Sequence, residues 1–103
     1  MPITTDKEGY LVNLHDWSEP AALAIATAEN LMLTEDHWQV IHFLREFYQQ
    51  YQTMPTARIL VKELAVKMGS AKGNSIYLHK LFPGGLMKQA AKIAGLPKPT
   101  RCT

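Results

Sequence analysis

The chain has 103 residues, 47% of them hydrophobic and 19% charged, with one cysteine and a net charge of +2. That is enough for one domain with one core, which at this size buries roughly two-thirds of its unfolded surface. A lone cysteine excludes an internal disulfide, no apolar run reaches the ~20 residues of a membrane span, and MPITTDKEGY does not start like a signal peptide, so the cytoplasm is the expected compartment.

In DKEGYLVNLHDW (residues 6–17), Glu8-Gly9 is a turn signal followed by Tyr10, Leu11 and Val12, which predicts a short strand or small β-hairpin. Ser18-Glu19-Pro20 reads as a helix start, because serine caps free N–H groups and proline is tolerated in the first turn. The alanine-rich helix that follows runs to about Asn30, with Ala22, Ile25, Ala26 and Glu29 sharing a side. Thr34-Glu35-Asp36 opens the clearest helix, which continues to about Gln52, with two acids at the positive end of its dipole. Val40, Ile41, Phe43, Leu44, Phe47, Tyr48 and Tyr51 fill one broad face of it, a width that marks the central helix of a helical domain. Trp38 falls on the polar side with Arg45 and is expected to lie under the N-terminal segment, with a partner-binding surface as the alternative.

Pro55 is expected to begin a third helix, with Leu60, Val61, Leu64 and Met68 inward and Gly69 as its stop. The loop GSAKGN precedes a short helix over about Ser75 to Leu81, capped by Asn74 or Ser75. It resembles a phosphate loop only superficially, lacks the GxxxxGK[ST] spacing, and reads as a turn. After the Pro83-Gly84-Gly85 turn, a last helix runs from about Leu86 to Ala94. Leu86, Ala90 and Ile93 face inward on it, while Lys88 and Lys92 lie one turn apart on the opposite side. Gly95 is placed to stop this helix and Pro97 prevents its continuation. The expected fold is mainly α: an orthogonal bundle of about five helices over residues 1–95, a small N-terminal β-hairpin, and an extended, mobile C-terminal arm over 96–103.

Charge is unevenly distributed along this plan. Residues 1–63 hold nine acids against Lys7, Arg45, Arg58 and Lys62, a sum of −5, and the remainder holds seven bases and no acid, a sum of +7. A solvated basic surface accounts for this, and so does a patch that meets phosphate or an acidic partner.

The arm carries the chemistry. Pro97 and Pro99 fix their own backbone angles and push their predecessors away from helix, so Leu96 to Cys102 spans roughly 20 Å when extended. Leu96 is available to anchor the root, while Cys102 stands one residue from the end. A free thiol has a pKa of ~8.5, and an exposed neighbour such as Arg101 contributes only ~0.2–1 kcal/mol, so activation must come from elsewhere. A thiol on a semi-rigid arm suits insertion into another protein's pocket, where that activation is supplied. Other constellations are weaker. His37 and His42 lie about 140° apart around a helix and cannot share a metal, and HxxxH or CxxC spacing is missing. Pairing Cys102 with His79 would need a geometry that a tail does not hold. A helix-turn-helix regulator with Lys88 and Lys92 on phosphates would lack side chains suited to reading bases.

Taken together, these residues resemble the DsrC/TusE family of sulfur-relay proteins. The match is densest in the tail: Leu81-Phe82-Pro83, Gly85, Lys88, Lys92, Ile93-Ala94-Gly95-Leu96-Pro97, Pro99 and the penultimate Cys102. EGYL (8–11), WSEP (17–20), Glu35, His37, Trp38, Phe47-Tyr48 and KGNS (72–75) extend it over the whole chain. The resemblance implies a mainly helical fold with a small β element and a mobile arm whose penultimate cysteine carries persulfide sulfur. Members that partner dissimilatory sulfite reductase have a second cysteine eleven positions earlier; here that position is Ala91, which argues against that role. The single-cysteine pattern is similar to the TusE-type branch. That branch implies a TusBCD-like donor, an MnmA-type tRNA thiouridylase as acceptor, 2-thiouridine at the tRNA wobble position as product, and no cofactor or metal. The expected site is Cys102 as carrier, with Lys88, Lys92, Lys98 and Arg101 steering docking or touching tRNA, in a protein that is a monomer when free. Leu86 departs from the proline that relatives usually carry after the glycine.

Overall fold

The computed structural model describes residues 4–99, so Arg101 and Cys102 lie outside the described residues. Among these there are five α-helices: α1 (Glu19–Ala28), α2 (Glu35–Tyr51), α3 (Ala57–Met68), α4 (Ser75–Leu81) and α5 (Leu86–Ile93). Most begin where a short polar side chain covers the free amides of the first turn. Ser18 Oγ accepts from the Ala21 N–H, Thr56 Oγ1 from Ile59 and Asn74 Oδ1 from Tyr77. Thr56 corrects the expected start of α3. Pro55 is buried ahead of the helix, and the capping oxygen one residue later sets the boundary.

The expected β-hairpin does not form. Among the described residues the N-terminal segment makes one isolated antiparallel bridge, Thr5 to Leu11, and no strand. The Asp6 carboxylate accounts for this, because it accepts the N–H groups of Glu8 at 2.9 Å and Tyr10 at 3.0 Å. These amides bond to a side chain within the turn, and the backbone pairing beside them is confined to the Asp6 N–H on Tyr10 O and the Val12 N–H on Thr4 O, too little for a strand. What the segment delivers instead is Tyr10 and Leu11, both buried in the core.

The central element is α5 rather than α2. Leu86, Met87, Gln89, Ala90, Ala91 and Ile93 are all buried, and α1, α2 and α4 each pack against it. Alanines at 90, 91 and 94 give no strong hydrophobic signal, yet their small size lets neighbouring helices approach closely. The broad face of α2 supplies Val40, Ile41, Phe43 and Leu44 to the same core, while Tyr51 at its end remains 55% exposed. Trp38 is half-buried and packed against the core. It stacks on His42 at 5.7 Å, and His42 in turn meets the edge of Trp17 at 6.4 Å.

Two buried polar groups are fully partnered. His37 receives the Thr34 N–H on Nδ1 at 3.0 Å, and its Nε2 lies 2.7 Å from the Leu81 carbonyl. The amide can only donate and the carbonyl can only accept, so the proton sits on Nε2 and the ring joins the start of α2 to the end of α4. Gln89 accepts the Gly84 N–H at 3.0 Å and donates to Glu29 at 3.3 Å, tying the Pro83–Gly85 turn to α1. The GSAKGN stretch is a turn packed against α3: a Cβ placed on Gly73 would lie 2.1 Å from the Ala65 backbone nitrogen. Asp36 holds this turn from α2 by accepting from the Tyr77 hydroxyl and from Lys72 Nζ at 3.2 Å. The tyrosine's hydrogen bond, reinforced by Lys72, keeps the Asp36 carboxyl below its usual range.

Candidate functional site: the root of the arm

A helix ends with four carbonyls that have no partner within the helix. At α5 these belong to Ala91, Lys92, Ile93 and Ala94, and every one is bonded. The Leu96 N–H donates to Ala91 O at 2.9 Å and the Gly95 N–H to Lys92 O at 3.1 Å. This pair of bonds is the Schellman motif, and it requires a left-handed residue, supplied by Gly95 at φ +70°. The remaining two carbonyls are taken by side chains from far along the chain. Trp17 Nε1–H donates to Ile93 O at 2.9 Å, and an Arg45 Nη1–H donates to Ala94 O at 2.7 Å.

The two side chains also hold each other. The Arg45 guanidinium lies over the Trp17 ring, 4.0 Å from its centroid, which combines a cation–π contact with a positive charge at the negative end of α5. Burial lowers the pKa of Arg45 from its usual value, but a guanidinium remains charged throughout the physiological range. Trp17 packs so closely over Gly95 that a Cβ there would lie 2.4 Å from Trp17 Cδ1. Leu96, 3% exposed, closes the root by joining the core. Beyond it Pro97 and Lys98 are exposed.

The predicted site residues occupy different settings. Lys88 is exposed on α5, and its backbone carbonyl accepts the Tyr10 hydroxyl at 3.1 Å. Burial, then the nearby Glu8, raises the pKa of that phenol. Lys92 is half-buried, 3.4 Å from Glu29 and 5.3 Å from the centroid of the Tyr10 ring. Its charge is therefore engaged within the domain. Lys98 Nζ meets Glu8 Oε2 at 2.6 Å, a surface pair that links the arm to the N-terminal turn. His79 is exposed on α4 and bonded to the Ser75 carbonyl at 2.7 Å. The histidines stand apart, and among the described residues no three His, Cys, Asp or Glu side chains gather as a metal site would need.

A cleft of about 450 Å³ opens beside the arm, lined by Tyr48, Met54, Thr56, Met87 and the segment 97–99 among others. Among the described residues that line it there is no carboxylate or imidazole. On sequence alone Arg45 falls on the polar side of α2, and Trp17 has no role of its own. The one available signal was the position of Trp17 in WSEP; Arg45 carried none.

No described helix is long and apolar enough to cross a membrane. The family model described as DsrC like protein matches residues 1–103. Curated relatives include the sulfurtransferase TusE homolog of Haemophilus influenzae, 56% identical over 97% of this chain and 92% of that protein. Sulfurtransferase TusE of Sodalis glossinidius is 59% identical over 97% of this chain and 93% of its own length. Among solved structures, DsrC of Allochromatium vinosum superposes with a TM-score of 0.87 at 52% identity, covering 98% of this chain and 90% of that one. The oxidized gamma-subunit of the dissimilatory sulfite reductase (DsrC) from Archaeoglobus fulgidus also gives 0.87, at 39% identity over 98% and 92%.

Proposed function

This chain belongs to the DsrC-like protein family, and on that premise we propose that it is a sulfurtransferase of a sulfur relay, with Cys102 as the carrier. The observation that bears most weight is a single thiol near the tip of a proline-stiffened segment, beyond a helix end whose carbonyls are all bonded. The Cys102 thiolate attacks the outer sulfur of a donor persulfide. A Cys102–S–SH bond forms, the donor's S–S bond breaks, and the donor cysteine leaves as thiolate. The acceptor's thiolate then attacks the same outer sulfur and releases Cys102 as thiolate, so that sulfur moves without net oxidation or reduction.

The donor in this reading is a TusBCD-like complex and the acceptor an MnmA-type tRNA thiouridylase, which makes 2-thiouridine at the wobble position. The neighbours named DsrC favour the fold equally well. With one cysteine and Ala91 at the second position, however, this chain has no second thiol for chemistry between two cysteines. For a carrier of this kind the pocket of each partner supplies the activation of the thiol. Lys88 and Arg101 steer docking by charge; Lys92, paired with Glu29, and Lys98, paired with Glu8, contribute less. The protein works in the cytoplasm, as a monomer when free.

Intact mass after incubation with cysteine desulfurase, cysteine and the relay proteins tests the reading. Wild type gains one sulfur atom, mapped to the C-terminal peptide. Cys102→Ser gains none while its melting curve is unchanged. Sulfur retained by that variant would exclude Cys102 as the carrier.

A further inference from the structure

We propose that Trp17 and Arg45 are positioning residues for sulfur delivery, fixing the point and direction at which the arm leaves the domain. The inference rests on the sulfur-relay reading above and adds to it two residues far from the thiol in sequence. Helix ends at a protein surface ordinarily leave their last carbonyls to water. Here the last two are bonded to an indole and a guanidinium, 76 and 49 residues away, and those two groups stack on each other. The glycine between the helix and the arm is covered by the same indole. Trp17 also packs against the core and over Gly95, but a Schellman turn by itself ends helices without an indole or a guanidinium on its last carbonyls.

The mechanical consequence is specific. With Leu96 buried and its amide bonded to Ala91, the fixed root ends at Leu96, Lys98 is paired with Glu8 just beyond it, and five residues, 97–101, separate Leu96 from Cys102 in sequence. A short tether on a rigid mount concentrates its tip in a small volume in front of the domain. If the mount loosens, the tip explores more space and meets a partner's sulfur in attacking geometry less often.

The test uses full-length protein loaded by cysteine desulfurase, cysteine and the relay proteins. Single-turnover transfer to the thiouridylase is then timed for wild type, Trp17→Phe, Arg45→Met and Arg45→Lys. Trp17→Phe and Arg45→Met are expected to lower the saturating transfer rate about tenfold, while the acceptor concentration giving half that rate stays within about twofold. Alkylation of Cys102 by iodoacetamide also stays within about twofold, since the thiol itself is untouched. Arg45→Lys, which keeps the charge and a donor, recovers part of the rate.

A Gly-Gly insert between Leu96 and Pro97 uncouples arm from root and should give the same fall. Arg45→Met added to that insert should lower the rate no further. Should Arg45→Met fail to fold, Trp17→Phe and the insert carry the same comparison. Wild-type transfer rates in Trp17→Phe and Arg45→Met overturn the inference, as does an additive loss when Arg45→Met is combined with the insert. A wild type that cannot be loaded at Cys102 fails at an earlier step, and that outcome defeats the relay reading and the inference with it.

Discussion

Two helices of this domain end on a glycine with positive φ, and they end differently. Gly69 closes α3 at φ +87°, where a Cβ would meet nothing within 4 Å and the nearby Val66 is 79% exposed. Gly95 closes α5 at φ +70°, where a Cβ would lie 2.4 Å from Trp17 and 2.9 Å from Leu11. In sequence both read as the same stop signal. In space one is a termination and the other is a mount. What separates them is the set of distant side chains that converge on α5 and not on α3.

Substitution at each glycine tests this contrast. Gly95→Ala combines left-handed backbone strain with overpacking against the indole, and is expected to cost about 3–5 kcal/mol in urea unfolding. Gly69→Ala carries the backbone term without the collision, and is expected to cost about 1–3 kcal/mol with sulfur transfer unchanged. Equal losses at the two sites would dissolve the distinction. Trp17→Phe keeps a ring over Gly95 but removes the donor to Ile93 O, leaving a carbonyl unsatisfied at a cost of about 1–2 kcal/mol. Its hydrogen-exchange signature is local: Gly95 and Leu96 amides lose protection while those in the middle of α2 do not.

The smallest effect belongs to the side of α3. Asp36, held below its usual pKa of 3.8 by the Tyr77 hydroxyl and Lys72, adds stability that is present above that value. The contribution is lost as pH falls through the lower folded pKa, because the unfolded carboxylate takes up its proton first. Tyr77→Phe should therefore flatten the fall in Tm below about pH 4 while leaving sulfur transfer at neutral pH intact. An unchanged acid profile would show that the hydroxyl does not hold the turn.

The helices were legible because their signals are local. Ser18, Thr56 and Asn74 cap where short polar side chains precede apolar periodicity, and Gly69 and Gly95 stop where glycine ends it. The centrality of α5 was hidden because Ala90, Ala91 and Ala94 contribute closeness rather than hydrophobic weight. The hairpin expected at Tyr10–Val12 was undone by a single carboxylate, Asp6, whose reach over four residues no strand pattern encodes. The proposed carrier thiol, Cys102, is read from its position alone and falls outside the described residues. Its mount was not legible: Trp17 and Arg45 each look ordinary, and their role exists only where three separate stretches of chain meet.

Those meetings have a consequence for the order in which the molecule comes into being. Contacts that close loops of 76 and 49 residues cannot form while the chain is being synthesised segment by segment, nor in an intermediate that has only its local helices. The end of α5 is anchored only once Trp17, from the segment before α1, and Arg45 of α2 are both in place. A molecule that has its helices but lacks these two contacts would leave the Ile93 and Ala94 carbonyls without their side-chain partners, which makes completion of this helix end a late event in folding.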